Sequence, residues 1–317
     1  MSDFILYRKP NETPIILNEL SFNQEKSENQ FIFHSFDNKT EWRFDIKSSE
    51  IINEENLNKL NISLFNEEKP NHILSKNEYL DLCNLFISKL KNKEFNKLIL
   101  SRIKKVEAFN PVQKFIDLAK KYPNAFVYLF QYKEQTWLGA TPERLLKVEN
   151  NLLETIALAG TKSKSENRNW TEKEYEEHQF VVDYIVNSLS DLNLKIEPTK
   201  TIQLQNIEHL QTNISAEIST EINVFNLVKK LHPTPAVCGI PKSKAMDFII
   251  KNEPHNRNFY TGFLGFETQN HTDFFVNLRC AQLFKDYTLL YVGGGITAKS
   301  IAENEWQETE LKSMALV

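Results

Sequence analysis

Glycine is scarce in this chain, with eight residues in 317, so the three that stand together at Gly293, Gly294 and Gly295 draw notice. Cysteine is scarcer: Cys83, Cys238 and Cys280 are odd in number, widely spaced and without a CxxC pair. That is the pattern of reduced, mostly structural thiols in a cytoplasmic protein. No apolar run approaches the roughly 20 residues that a membrane span needs. The stretch MSDFILYRKPNE places acid and polar residues where a signal peptide needs an apolar core. Net charge is −4 with no basic block, which argues against a nucleic-acid surface. No Gly-Lys-Ser/Thr follows the glycine cluster, so it is not a Walker loop, and its spacing is wrong for a dinucleotide fingerprint.

What remains is an ordinary globular composition, 41% hydrophobic and 25% charged, enough for a real core. Residues 1–72 read as strands and loops, with DFILYRK, QFIFHSF and EWRFDI as short aromatic-rich runs. A helix starts at the capping box Ser75-x-x-Glu78, with Tyr79, Leu82, Phe86 and Leu90 as its apolar stripe. The strand KLILSRIKKVE and the helix PVQKFIDLAKKY follow, the latter with Pro111 near its start. AFVYLFQY and NLLETIALAG read as strands on either side of a turn GATPERLL, and a long helix covers about Glu172 to Leu189. Helices VFNLVKKL and KSKAMDFIIKN flank the turn HPTPAVCGIP; DFFVNLRCAQLF and YTLLYVGG read as paired strands, and a last acidic helix closes the chain. Mixed runs without βαβ regularity predict an α+β fold of largely antiparallel sheets flanked by helices. With no low-complexity linker or repeat, one domain over 1–317 is expected.

Two separated stretches share one acidic spacing: Glu174-x-x-Glu177 and Glu305-x-x-Glu308. Residues three apart share a helix face, so two such faces that meet would gather four carboxylates. Such a cluster needs a cation or a set of basic groups, and a hard ion such as magnesium suits oxygen donors. The bland alternative is a solvated helix face; for Glu174 it is also a capping box with Thr171.

Lys97 leads into a buried-looking strand, where a lysine either snorkels at the edge or is partly desolvated and usable as a base. Glu143, after Thr141-Pro142, reads as the acid at the start of a short helix. The three glycines read as the end of a strand, where bare backbone approaches an anion closely or makes a tight turn. Arg279 alternates with apolar neighbours, so it faces solvent or points into a site as a carboxylate clamp. His178 and His232 have no partner at metal spacing, and hydrogen bonding in the structure accounts for His178.

Taken in order, eight fragments resemble the chorismate-utilising enzymes, and within them the isochorismate synthase branch. They are KLILSR (97–102), GATPERLL (139–146), ALAGT (157–161), EEHQFVVDYI (176–185), LHPTPAVCGIP (231–241), NRNFYTGFLGF (256–266), VNLRCAQL (276–283) and GGGI with ENEWQETELK (293–312). They span about residues 75–317, which would then be the catalytic part, with 1–72 a shortened strand-rich beginning.

The resemblance implies roles. Lys97 matches the general base that activates water against C2 of chorismate, and Glu143 the general acid that protonates the departing C4 hydroxyl. Glu177 and Glu308 match magnesium ligands, with Glu174 and Glu305 acting through water or behind them. Tyr260 and Arg279 match residues on the enolpyruvyl carboxylate. Gly160, Thr161, Gly293, Gly295 and Lys312 match residues around the ring carboxylate and the metal, and His232 one that orients that carboxylate. The implied enzyme is an isomerase that needs magnesium but no redox cofactor, ammonia source or glutamine amidotransferase subunit, and it works as a monomer or weak dimer. Its product would feed menaquinone or catechol siderophores.

Lys97 and the Pro-Thr-Pro-Ala segment favour water over ammonia as nucleophile, against anthranilate and aminodeoxychorismate synthases. Salicylate synthases keep the lysine and both acids and go on to eliminate pyruvate, so they stay as an alternative. A non-catalytic binding module would have lost Lys97 or Glu143, and both are present. A phosphotransferase would need the phosphate loop that is missing. Cys238 and Gly294 depart from the small residue and the alanine usual at their places, without removing a reacting group.

Overall fold

The amino-terminal runs form β1 (Phe4–Arg8), β2 (Ile16–Phe22), β3 (Asn29–His34) and β4 (Glu41–Ile51), followed by the one-turn helix α1 (Glu54–Leu57). Helix α2 (Lys76–Lys91) begins at the predicted capping box: the Ser75 hydroxyl accepts from the Glu78 amide and the Glu78 carboxylate accepts from the Ser75 amide. Strand β5 (Lys97–Glu107) leads to α3 (Pro111–Lys121), capped by Asn110 with proline in its first turn. Four strands follow: β6 (Phe126–Tyr132), β7 (Gln135–Thr141), β8 (Arg144–Glu149) and β9 (Leu152–Ser163). Then come α4 (Glu172–Ser188), β10 (Lys195–Ile196), β11 (Lys200–Leu204), β12 (Ile207–Glu217), α5 (Val224–Leu231), β13 (Gly239–Ile240) and α6 (Lys242–Asn252). Strands β14 (Phe263–Thr268), β15 (His271–Val276), β16 (Cys280–Leu283) and β17 (Tyr287–Ile296) precede α7 (Ala302–Ser313). The computed structural model describes residues 3–66, 71–164, 168–204, 207–269 and 271–317, apart from the side chains of Thr161, Ser163, Lys173, Leu204 and Ile207.

Among the described residues every strand pairing is antiparallel, and the strands join into one connected network, as the mixed pattern predicts. The network folds on itself because its strands have two apolar faces. In β6, Phe126, Tyr128, Phe130 and Tyr132 enter an aromatic core with Phe31, Phe33, Trp137 and Tyr291, while Val127 and Leu129 face a second core under α3. Helices α4 and α5 cover β9, β12 and β14, and α2 and α6 cover β5. The result is an α+β fold with antiparallel sheet inside and helices outside.

Several local expectations are corrected. GATPERLL is not one turn: Gly139–Thr141 ends β7, Pro142 and Glu143 turn, and Arg144 starts β8, so Glu143 starts no helix. The three glycines lie at the end of β17, one residue short of its last, where they pair opposite Ser101, Leu100 and Ile99 of β5 and make no turn. DFFVNLRCAQLF is two strands: β15 pairs with β8 and β14, and β16 pairs with β7 and β17. Arg279 falls in the break, at φ 46°. Strands β2, β7, β8 and β10 to β14 are not predicted.

One close approach depends on glycine. A Cβ on Gly262 would stand 2.0 Å from the His34 carbonyl oxygen, backbone that cannot step aside. On Gly294 the nearest atom would be 3.5 Å away. Gly262→Ala is therefore expected to lose about 2–3 kcal/mol in urea unfolding, and Gly294→Ala less than about 1. Equal midpoints for the two variants would contradict this packing.

Candidate active site

The β5–β17 register builds the centre. Lys97 opens β5 with its side chain buried, and its Cε would lie 3.5 Å from a Cβ on Gly295. Its ammonium reaches across to α4 and donates to Glu177 Oε1 at 2.9 Å. Two residues along β17, a Cβ on Gly293 would meet the Tyr260 hydroxyl at 3.0 Å. On Gly294 it would meet Glu308 Oε1 at 3.5 Å and Glu305 Oε2 at 3.6 Å. A run of bare backbone thus lets a lysine, a tyrosine and two carboxylates crowd one strand. Lys312 completes this wall, donating to the Gly293 carbonyl at 2.9 Å and pairing with Glu308 at 2.6 Å.

Helix α7 is held in place from β5. Arg102 is buried, donates to Thr309 Oγ1 at 2.8 Å, pairs with Glu310 and lies 3.9 Å over the Trp306 ring. The clamp falls on Trp306, Thr309 and Glu310, which leaves Glu305 and Glu308 turned to the glycines.

Glu143 sits at the β7–β8 turn, its amide donating to Thr141 Oγ1 at 3.3 Å and its carbonyl accepting from the Val276 amide at 2.9 Å. Burial pushes its carboxyl up to about 7, and the charge of Lys97 pulls it partly back. The predicted base and acid therefore feel one another. A narrow crevice joins Glu143 to Leu158, Val181, Thr234 and Ala236. Burial raises the Tyr260 phenol, which feels Arg257 and Glu143.

A second positive wall lies at β9 and β12. Gly160, at φ 74°, offers its carbonyl to His209 Nδ1 at 3.1 Å. Burial lowers the pKa of His209, and the charges of Arg279 and Lys312 lower it further, so all three are neighbours. Arg279 lies 5.4 Å over the Tyr122 ring, and burial lowers its pKa. Thr161 stands opposite His209 in the register, but its side chain lies outside the described residues. His209 is missed by the sequence reading because β12 is missed. The signal was there: Leu210, Thr212, Ile214 and Ala216 are buried at period two.

Two expected residues point elsewhere. The Glu174 carboxylate accepts from Arg168 at 2.6 and 2.8 Å and from the Thr171 amide at 2.8 Å. Arg168 first, with Thr171, holds it down to about 2. These contacts are the capping reading and give Glu174 no place at a metal. His232 is packed between His34 and Phe263, with Nε2 3.3 Å from the Phe36 carbonyl, and burial first, then His34, holds it down to about 3. His178 faces Thr212 Oγ1 at 2.8 Å, the structural role expected.

The four carboxylates thus do not converge. Among the described residues no three His, Cys, Asp or Glu side chains form a group able to hold a metal ion. Lysines stand where a cation is expected: Lys97 on Glu177 and Lys312 on Glu308. The donor chemistry of Glu177, Glu305 and Glu308, with the space left by Gly294 beside two of them, fits a hard cation that takes one or two carboxylates and keeps its waters. A hollow of about 460 Å³ at the other end of β14 and β15, lined by Val148, Ile222, Glu267, Thr268 and His271, contains none of these residues.

The sequence pattern of the family described as chorismate binding enzyme matches residues 5–317. The chain is 30% identical to isochorismate synthase MenF of Escherichia coli over 264 residues, covering 78% of this chain and 61% of that one. It is 28% identical to isochorismate synthase MenF of Bacillus subtilis over 261 residues, covering 77% and 55%. It therefore spans less than two thirds of the length of either relative. The solved structure of the menaquinone-specific isochorismate synthase of Escherichia coli superimposes with a TM-score of 0.84 at 20% identity, over 100% of this chain and 88% of that one.

The raised carboxyl of Glu143 has a consequence for stability. With a folded value near 7 and an ordinary value of 4.5, its contribution is complete below 4.5, falls as pH rises and levels off above 7. Glu143→Gln, which cannot ionise, is expected to gain stability over the parent across that window, in thermal melts at successive pH values. A pH-independent difference would show an ionised Glu143.

Proposed function

The chain belongs to the chorismate-binding enzyme family, and from that premise we propose that it is an isochorismate synthase. The observation that carries the reading is the pair Lys97 and Glu143: a buried lysine and a carboxyl that keeps its proton near neutrality, each within the other's field.

Chorismate carries two carboxylates, and two walls of the site suit them. Lys312 offers charge at the glycine strand and Arg279 offers it beside His209 and Gly160, so each wall presents a cation to a carboxylate. Tyr260, buried beside Gly293, supplies a hydroxyl donor between them. A magnesium ion, when bound, supplies neutralisation of the ring carboxylate, and Glu177, Glu305 and Glu308 are the residues that would hold it.

In the proposed reaction the Lys97 ammonium first gives up the proton that it holds towards Glu177, and the neutral amine then takes a proton from water as the water oxygen bonds to C2. The ring double bonds shift, the C4–oxygen bond breaks, and Glu143 gives its proton to the leaving hydroxyl, which departs as water. Atoms balance without ammonia or redox cofactor, and the reverse reaction exchanges the two roles. Burial of Glu143 serves this chemistry, because an ionised carboxylate there has no proton to give.

With chorismate and magnesium the expected product by chromatography is isochorismate. Salicylate with pyruvate would assign the chain to the salicylate branch, and anthranilate from ammonia would end the water-nucleophile reading. Lys97→Ala is expected to lose at least ~10²-fold in turnover, and the parent kcat/KM to fall as pH rises through about 7 with the Glu143 proton. Near-parental turnover in Lys97→Ala would remove the base from the mechanism.

The acids separate by calorimetry with magnesium. Glu177→Ala and Glu308→Ala are expected to weaken binding at least ~10-fold, and Lys97→Ala, which frees Glu177 of its ion pair, not to weaken it. Glu174→Ala should leave binding unchanged and cost about 1 kcal/mol as a lost cap. Parental affinity in Glu177→Ala and Glu308→Ala would make them surface carboxylates.

A further inference from the structure

Behind the site lies a set of buried charges with no role so far. The Glu253, His255 and Arg257 side chains are 2%, 0% and 2% exposed. Arg257 and Glu253 form a two-toothed pair: Nε to Oε2 at 2.7 Å and the terminal nitrogen to Oε1 at 2.6 Å. The guanidinium also donates to the carbonyls of Ile99 and Val237, both at 2.9 Å, and to Thr261 Oγ1 at 3.3 Å. Glu253 in turn accepts from the Ser101 amide at 2.7 Å and hydroxyl at 2.9 Å. That hydroxyl lies 3.0 Å from His255 Nε2.

Each of these partners belongs to a segment that carries a site residue. Ile99 and Ser101 lie in β5, which starts at Lys97, and Ser101 stands opposite Gly293. Val237 lies in the turn whose Thr234 and Ala236 line the crevice beside Glu143, and whose Cys238 carbonyl accepts from the Ile99 amide at 2.9 Å. Thr261, at φ 60°, follows Tyr260. One guanidinium thus ties its own segment to the turn before α6 and to β5, 158 residues away in sequence. A buried ion pair is a poor source of stability, since desolvation cancels most of its attraction. What a planar fork with fixed donors supplies is direction, and a lysine of the same charge does not supply it.

We propose that the Glu253–Arg257 pair is a positioning device, setting Lys97, Tyr260 and the glycine strand relative to one another through bonds that need the fork of the guanidinium and not its charge alone. The proposal rests on the reading of Lys97 and Tyr260 as reacting and substrate-binding groups. Arg257 itself is enclosed and touches no reactant.

The test compares Arg257→Lys with Leu118→Ala, a core truncation in α3 away from the site, in the full chain at a temperature where near-UV circular dichroism shows both folded. Arg257→Lys is expected to lose about 10- to 100-fold in kcat with magnesium affinity kept, because α7 is clamped separately by Arg102. Leu118→Ala should keep its kcat. Hydrogen exchange, which needs no substrate, is expected to quicken together in 97–101, 235–239 and 257–262 of Arg257→Lys and not in β1 or β6. A kcat within twofold of the parent, or loosening confined to 253–257, would overturn the proposal. If the parent does not convert chorismate, the functional reading fails and exchange alone decides the positioning. If Arg257→Lys does not fold, Ser101→Ala, which removes one hydroxyl from Glu253, carries the same comparison with a smaller loss expected.

Discussion

The antiparallel pairing of β5 with β17 is the constraint on which the site depends. Its register runs from Glu107 opposite Tyr287 to Leu98 opposite Ile296, which sets Lys97 at the end of one strand and three glycines near the end of the other. Glycine weakens a strand, having no side chain to pack and more chain entropy to lose. Here that loss is offset by what the bare backbone admits: the Lys97 stem on one residue, the Tyr260 hydroxyl on another and two carboxylates on the residue between. A larger residue at Gly293 would meet the Leu100 carbonyl at 2.9 Å as well as the tyrosine. Strand stability is lowered where close approach is needed, and the covering helices restore it through apolar contacts elsewhere.

The two lysines of the site are each held by an opposite charge. Lys97 rests on Glu177 and Lys312 on Glu308, while Arg102, Lys104 and Glu310 form a separate cluster behind α7. The exposures differ, and so do the energies: the Lys97 side chain is 11% exposed, whereas Lys312 and Glu308 are each about half exposed and mostly screened. Glu143 is the exception that matters for chemistry. It has a lysine within its field but no direct ion pair among its described contacts, and burial prevails, leaving it protonated near neutrality. In the proposed reaction it is this burial that leaves Glu143 a proton to give.

The sequence made much of this legible, and what it hid has physical reasons. Helices with a side-chain cap or an early proline, α2, α3 and α4, stand where predicted, because capping is a local interaction written in adjacent residues. Central aromatic strands such as β6 were equally legible. Strand β12 was not, since its alternation is carried by Thr212 and Ala216 as well as Leu210 and Ile214, and with it went His209. The break at Arg279 was hidden too: its apolar neighbours alternate as in a strand, and only the pairing of β15 and β16 with different partners separates them. The Glu253–Arg257 pair escaped for another reason. Its spacing of four residues reads as an ordinary surface ion pair, and nothing local reports that both ends are buried.

The two Glu-x-x-Glu pairs show how far spacing alone reaches. The period of three residues placed each pair on one helix face, and the structure agrees. What it did not specify is the partner. Glu174 lies in the first turn of α4, where unsatisfied amides and the adjacent Arg168 claim its carboxylate, whereas Glu177, one turn further on, has passed the cap and reaches Lys97. Glu305 also lies in the first turn of its helix, but Ile301 caps that helix without a side-chain bond, and Glu305 turns to Gly294 alongside Glu308. Two identical spacings therefore yield one capping acid and three acids that face the centre. The difference arises from what precedes each helix: a threonine and an arginine in one case, an isoleucine in the other.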